Sequence, residues 1–191
     1  DGTVCIGNEA GSSLTSGIGN VAIGYQALDY EDDGDYNTAV GYQALTGQGG
    51  VTGSVGNTAI GFKAGVSIGS STACTVVGAN ALYSDDDSDG STAIGSHAMY
   101  SQNAGGSDSG NTGVGKNVGF WNVTGTNNTY IGYDAGVGAS GQSNSGNTAV
   151  GKDAMLSVTT GSYNVCVGRS AGSGLTDGAA NVIIGVSAGD T

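Results

Sequence analysis

The sequence predicts an all-β protein, a parallel β-solenoid (β-roll) wound from eleven rungs of 17–20 residues. Three observations predict it: an end-to-end internal repeat, a short β-branched alternation inside each copy, and connectors made of turn-forming residues. The repeat is Asn-Thr-Ala-(Ile/Val)-Gly-x-x-Ala-(Leu/Gly). Its anchoring glycines are Gly7, Gly24, Gly41, Gly61, Gly78, Gly95, Gly115, Gly132, Gly151, Gly168 and Gly185. Successive spacings are 17, 17, 20, 17, 17, 20, 17, 19, 17 and 17 residues, so the copies fill residues 1–191 as a single tandem-repeat domain.

Each column follows its own rule. The residue before the glycine is always Ile or Val, and the residue two places earlier is Thr in seven copies and Val in four. Between them stands a small residue, usually Ala, as in Ala22, Ala39, Ala59, Ala93 and Ala149. Period two with β-branched flanks reads as a short strand. The expectation is that the Thr and Ile/Val face points into the coil. The flat Ala and Gly face then points outward and packs against another copy of the chain. Connectors rich in Gly, Ser, Asp, Asn and Thr absorb all the length variation, as turns do. Rungs stacked about 4.8 Å apart would build a rod of roughly 50 Å whose stability lies in neighbour contacts. Asn recurs four residues before the glycine in eight copies, including Asn20, Asn57 and Asn128. A ladder of identical amides is a structural device that ties its own turn or the Asn above.

Composition removes several function classes. Gly is 39 of 191 residues and Pro is absent, which excludes collagen and a Pro-rich linker. The formal net charge is −12 with four basic residues in total, which argues against nucleic-acid partners and docking to anionic lipid. No apolar run reaches the length of a membrane span, so membrane insertion is not expected. Catalysis is not expected either. His97 is the single histidine, and no Gly-Lys-Ser/Thr follows a glycine run, so neither a hydrolytic triad nor a phosphate loop can be assembled.

The candidate metal site is the run Asp85, Asp86, Asp87, Ser88, Asp89, Gly90. Alternate carboxylates at Asp85, Asp87 and Asp89 would aim hard oxygens at one calcium ion; the bland alternative is a solvated loop that keeps a Gly-rich fibre soluble. Cys5, Cys74 and Cys166 are an odd set in rungs one, five and ten, expected as inert buried thiols without an intrachain disulfide. Asn122-Val-Thr124 and Asn127-Asn-Thr129 match the N-glycosylation pattern.

Segments such as Asn57-Thr-Ala-Ile-Gly61 and Asn20-Val-Ala-Ile-Gly24 resemble the head repeats of trimeric autotransporter adhesins. They are also similar to repeats of phage tail fibres and other bacterial surface fibres. The resemblance covers all eleven copies; the repeat here is longer, and the adhesins' neck and coiled-coil stalk are absent. It implies parallel rungs in a homo-oligomer, a trimer favoured, with the Ala face toward neighbouring chains. It implies an extracellular, cell-surface or virion location.

The function expected is a structural fibre or stalk segment that associates laterally with itself. Ordinary motif copies reach both termini without capping segments, so the chain is expected inside an extended filament, stacked head to tail or covalently continuous with a longer array. The alternative is a ligand-binding solenoid. One form binds surface glycans through Tyr25, Tyr42, Phe62 and Tyr133, which follow the anchoring glycine. The other binds ice, which the Thr column suggests but its expected inward direction opposes.

Overall fold

The computed structural model describes residues 2–87, 89–105 and 108–190. The expectation of uncapped ends falls partly on residues 1 and 191, which lie outside them, as does Ser88 of the Asp85–Asp89 run. The chain is a parallel β-solenoid of about ten turns, with no helix among the described residues. Eleven three-residue strands form one sheet: β1 (Val4–Ile6), β2 (Val21–Ile23), β4 (Thr38–Val40), β6 (Thr58–Ile60), β7 (Thr75–Val77), β8 (Thr92–Ile94), β9 (Thr112–Val114), β10 (Thr129–Ile131), β11 (Thr148–Val150), β12 (Val165–Val167) and β13 (Val182–Ile184). Their order in the sheet is their order in the sequence, and like columns pair in register: Thr58 with Thr75, Ala59 with Val76, Ile60 with Val77. A second sheet of two short strands, β3 (Gly34–Asp35) and β5 (Gly53–Ser54), joins two connectors.

The anchoring glycine turns the chain out of each strand at φ between 131° and 140°, where an L side chain is strained. Space forbids one as well: a Cβ on Gly78 would lie 2.6 Å from the backbone carbon and oxygen of Gly95 in the next rung. The turn then visits the left-handed region twice. The residue two places on does so in every copy (Gln26 at φ 50°, His97 at 56°), and so does the residue four places on. That explains the Leu/Met-or-Gly column: Leu28, Leu45, Leu82, Met99 and Met155 hold φ of 48–53°, and Gly takes the other copies.

The strand faces are the reverse of the expectation. The central residues Ala22, Ala39, Ala59, Ala93, Ala149 and Cys166 are fully buried, whereas Ile60 is 43% exposed and Ile131 40%. The interior is narrow. It already receives the turn alanines (Ala27, Ala44, Ala64) and the following Leu or Met, so only a small strand residue fits beside them. The two β-branched residues per strand stay outside, where each covers its in-register neighbours.

A fourth interior column, seven residues after the glycine, compensates in volume. Where the turn position is Gly, this column is large and apolar in three copies, Gly11 with Leu14, Gly65 with Ile68 and Gly172 with Leu175; the exceptions, Gly119 with Asn122 and Gly136 with Ala139, are the two glycines that pack against Tyr130. Where the turn position is Leu or Met, it is polar in four of five copies: Leu28 with Glu31, Leu45 with Gln48, Leu82 with Asp85, Met99 with Gln102. Tyr130, the one large central strand residue, occupies space that side chains on Gly119 and Gly136 would need. Its hydroxyl bonds the Asn144 amide oxygen.

The asparagine column is a buried ladder. Oδ1 of Asn111 accepts the backbone N–H of Asn128 (2.8 Å), and Oδ1 of Asn128 accepts that of Asn147 (2.9 Å). Each amide nitrogen donates to a connector carbonyl of the following rung: Asn57 to Ser71, Asn128 to Asn144, Asn164 to Gly178, each at 2.7 Å. Two copies depart from this: Asn37 precedes a 20-residue spacing and its amide nitrogen has no partner among the described residues, and Asn181, in the last rung, donates back to Asn164 Oδ1 at 3.0 Å.

Candidate functional site

The outward face of the long sheet is the most extended candidate surface. Two columns make it, Thr or Val on one side and Ile or Val on the other, and no charged side chain stands in either. Parallel pairing holds equivalent residues at the interstrand distance of about 4.8 Å, so the face is periodic along the rod. The hydroxyls of Thr38, Thr58, Thr75, Thr92, Thr112, Thr129 and Thr148 make no hydrogen bond to other described residues. The face therefore offers one row of free hydroxyls beside one row of apolar side chains. The sequence reading had the columns right and their direction wrong. The missed signal was the occupancy of the central column, where Tyr130, Cys166 and Ile183 replace Ala without any outward partner to accommodate them.

Two aromatic ladders flank the turn. Tyr25, Tyr42 and Phe62 stack on one another at centroid distances of 5.1 and 5.4 Å. Tyr133, the fourth aromatic of that column, lies between the ammonium groups of Lys116 and Lys152, 5.8 and 5.7 Å from its ring. These rings spend their faces on each other or on lysines, which leaves the column less free for a ligand than the sequence suggests. The second ladder, Tyr83, Tyr100 and Phe120, five residues after the glycine, was not singled out from the sequence. Its rings stack at 4.9 and 5.0 Å. His97 joins it at 5.6 Å from Tyr100, its Nδ1 2.9 Å from the Ser96 hydroxyl.

The acidic connectors work between rungs. Asp87 accepts from the Ser70 hydroxyl at 2.9 Å, and Asp89 accepts the Thr72 N–H at 2.6 Å and its hydroxyl at 2.9 Å. Asp85 turns inward and is fully buried, within 3.4 Å of the Ser71 hydroxyl. The three thus engage different groups of the preceding rung, and no group of three or more metal-ligating side chains forms among the described residues. The earlier acidic connector repeats the pattern: Asp33 accepts from the Thr15 and Ser16 hydroxyls, and Asp35 from the Ile18 N–H at 2.8 Å. Those hydroxyls hold the Asp33 carboxyl below the usual aspartate value. Glu31 is buried, yet its carboxylate accepts the N–H groups of Asp32, Asp33 and Gly34 (2.7–3.2 Å) and the Gln48 amide (2.6 Å). A carboxylate so fully engaged clamps its connector to the next rung.

The cysteines separate. Cys74 and Cys166 are buried; Cys5, expected buried, is exposed at the first strand. Cys74 stands in the asparagine column, and burial pushes its thiol up to about 12. Of the two glycosylation motifs, Asn122 is buried and Asn127 exposed.

Scans of family models, of curated proteins and of solved structures found no match. The candidate surfaces therefore stand on their geometry alone.

Proposed function

We propose that the chain is a structural element of an extracellular fibre or adhesin, a stiff rod that associates laterally with copies of itself. The observation that carries this reading is the outward sheet face: uncharged and periodic, with Ile60, Ile94 and Ile131 exposed and half-buried valines between them. An apolar patch continued over ten rungs is larger than soluble monomers ordinarily leave open, and such patches mark association surfaces. The occupant that matches both its length and its period is the same face of another chain, and three flat faces can close around an axis. The trimer and the cell-surface or virion location follow the resemblance of the Asn-Thr-Ala-Ile-Gly core to adhesin and tail-fibre repeats. The reading assigns the chain no catalytic step and no calcium.

The test is sedimentation of the purified chain beside the double variant Ile94→Glu, Ile131→Glu. The wild type is expected to sediment as an oligomer of three chains. The variant is expected to sediment as a monomer with an unchanged circular-dichroism spectrum. A monomeric wild type at roughly 100 μM, well above ordinary subunit affinities, overturns the reading.

One observation favours a second reading. The seven free threonine hydroxyls form a regular outward row, and the inward direction that had opposed ice binding does not hold. A monomeric chain that shows thermal hysteresis, abolished by Thr92→Tyr, would put this reading in place of the first.

A further inference from the structure

The second aromatic ladder ends abruptly. Tyr83, Tyr100 and Phe120 lie in three successive rungs, and the same column continues as Val137 and Leu156. Phe120 lies nearly parallel to Tyr100 (6°), so one of its faces is covered and the other is turned toward the rung where the rings stop. Beside it Trp121 stands edge-on, 4.6 Å away at 72°. The result is an open cleft of about 330 Å³ lined by Phe120, Trp121, Val137, Leu156, Asn117 and Asp134.

Its polar rim is built. Asn117 Nδ2 donates to Asp134 Oδ1 at 2.9 Å, and both residues are half-buried with their backbones tied to the preceding rung. Asp134 keeps a second carboxylate oxygen, and Asn117 its amide oxygen, as acceptors at the edge of an apolar floor. Among the described residues no cation lines the cleft.

We propose that this cleft binds one neutral pyranose residue of a glycan. The ligand must be flat enough to continue a ring stack, apolar on that face, and rich in hydroxyl donors at its edge. A pyranose has a C–H face and an equatorial rim of hydroxyls. The face lies on Phe120 and against Trp121, and the hydroxyls donate to Asp134 and Asn117. A chain of net charge −12 with a carboxylate on the rim rejects anionic sugars. A simple aromatic occupant such as phenol brings a single hydroxyl and leaves part of the rim without partners. The site is separate from the Tyr25, Tyr42, Phe62 and Tyr133 column, and it does not depend on lateral association through the sheet face.

Trp121 is the single tryptophan, so its fluorescence reports the cleft directly. The probes are cellohexaose, maltohexaose and chitohexaose, with phenol as the aromatic competitor, titrated into the wild type and into the Ile94→Glu, Ile131→Glu variant. A saturable shift of Trp121 emission is expected with at least one sugar. The expected Kd is on the order of 1 mM, the range for about a dozen contacting ligand atoms. Calorimetry of Trp121→Ala is expected to show a loss of about tenfold or more, and Asp134→Asn a smaller loss. Val137→Tyr, which extends the ladder into the cleft, is expected to abolish binding while the β spectrum is unchanged. No saturable response to any of the three sugars overturns the proposal. So does binding that survives both Trp121→Ala and Val137→Tyr, or tighter binding of phenol than of every sugar.

Discussion

Gly78 shows how little freedom a single position in this fold has. Its φ of 131° and the 2.6 Å gap to Gly95 mean that Gly78→Ala must displace a neighbouring backbone, not a flexible side chain. A loss of roughly 3 kcal/mol or more is expected, read as a fall in the denaturation midpoint. The asparagine ladder makes a comparable demand. Asn128→Ala strands the Asn147 N–H and the Asn144 carbonyl in a buried site, which costs roughly 2–4 kcal/mol by thermal or chemical denaturation. Cysteine reactivity sorts by burial. Cys5 is expected to react with a thiol reagent in the native state, and Cys74 and Cys166 only after unfolding. The sign of the pH effect follows. A thiol raised from 9.0 to about 12 in the folded chain contributes stability that is whole below pH 9 and lost as pH rises toward 12. Tyr130, also raised by burial, adds to the loss above its ordinary value of 10.0. The melting temperature is therefore expected to hold level to about pH 9 and to fall beyond it; Cys74→Ala should flatten the first part of that fall.

At the scale of the rung, the acidic connectors are fastened to the preceding rung by hydroxyl–carboxylate pairs, Ser16 with Asp33 and Ser70 with Asp87. Asp33 illustrates the consequence. Its pKa is lowered in the fold, so it contributes stability above its unfolded value of 3.8 and loses it as pH falls through the depressed value. Carboxyl NMR should show Asp33 titrating below 3.8, and Ser16→Ala together with Thr15→Ala should return it toward that value. The strand itself was legible: β-branched residues at period two, bounded by an obligate glycine, left no other element in view. The turn was legible only in part, because Gly in six of eleven copies marks a left-handed position while Leu28 or Met99 in the same column hides it. Interior packing tolerates those residues there because the turn exists to deliver them inward. The pairing of Gly65 with Ile68 and Leu45 with Gln48 is visible only once both columns are known to share one interior.

For the whole molecule, a repeat that contacts only its neighbours should be removable. Excising residues 61–77, one 17-residue period, joins Ile60 to Gly78 in register. The shortened chain is expected to unfold cooperatively with an unchanged β spectrum and a melting temperature only a few degrees lower. A collapse of the fold would show that coupling reaches beyond adjacent rungs. The glycine spacing, the strand alternation and the asparagine column by themselves determined that the chain coils into stacked parallel rungs, because these are local and periodic constraints that recur in every copy. Which face of the strand looks outward was decided by tertiary structure alone. Period two states only that two faces differ, and the choice depends on the volume enclosed when strand, turn and connector meet. That volume admits Ala22 or Ala39 beside Leu28 and Leu45, and leaves Thr38 and Ile60 outside. The same holds for the Phe120–Trp121 cleft: its walls come from three successive rungs, and only stacking brings them together.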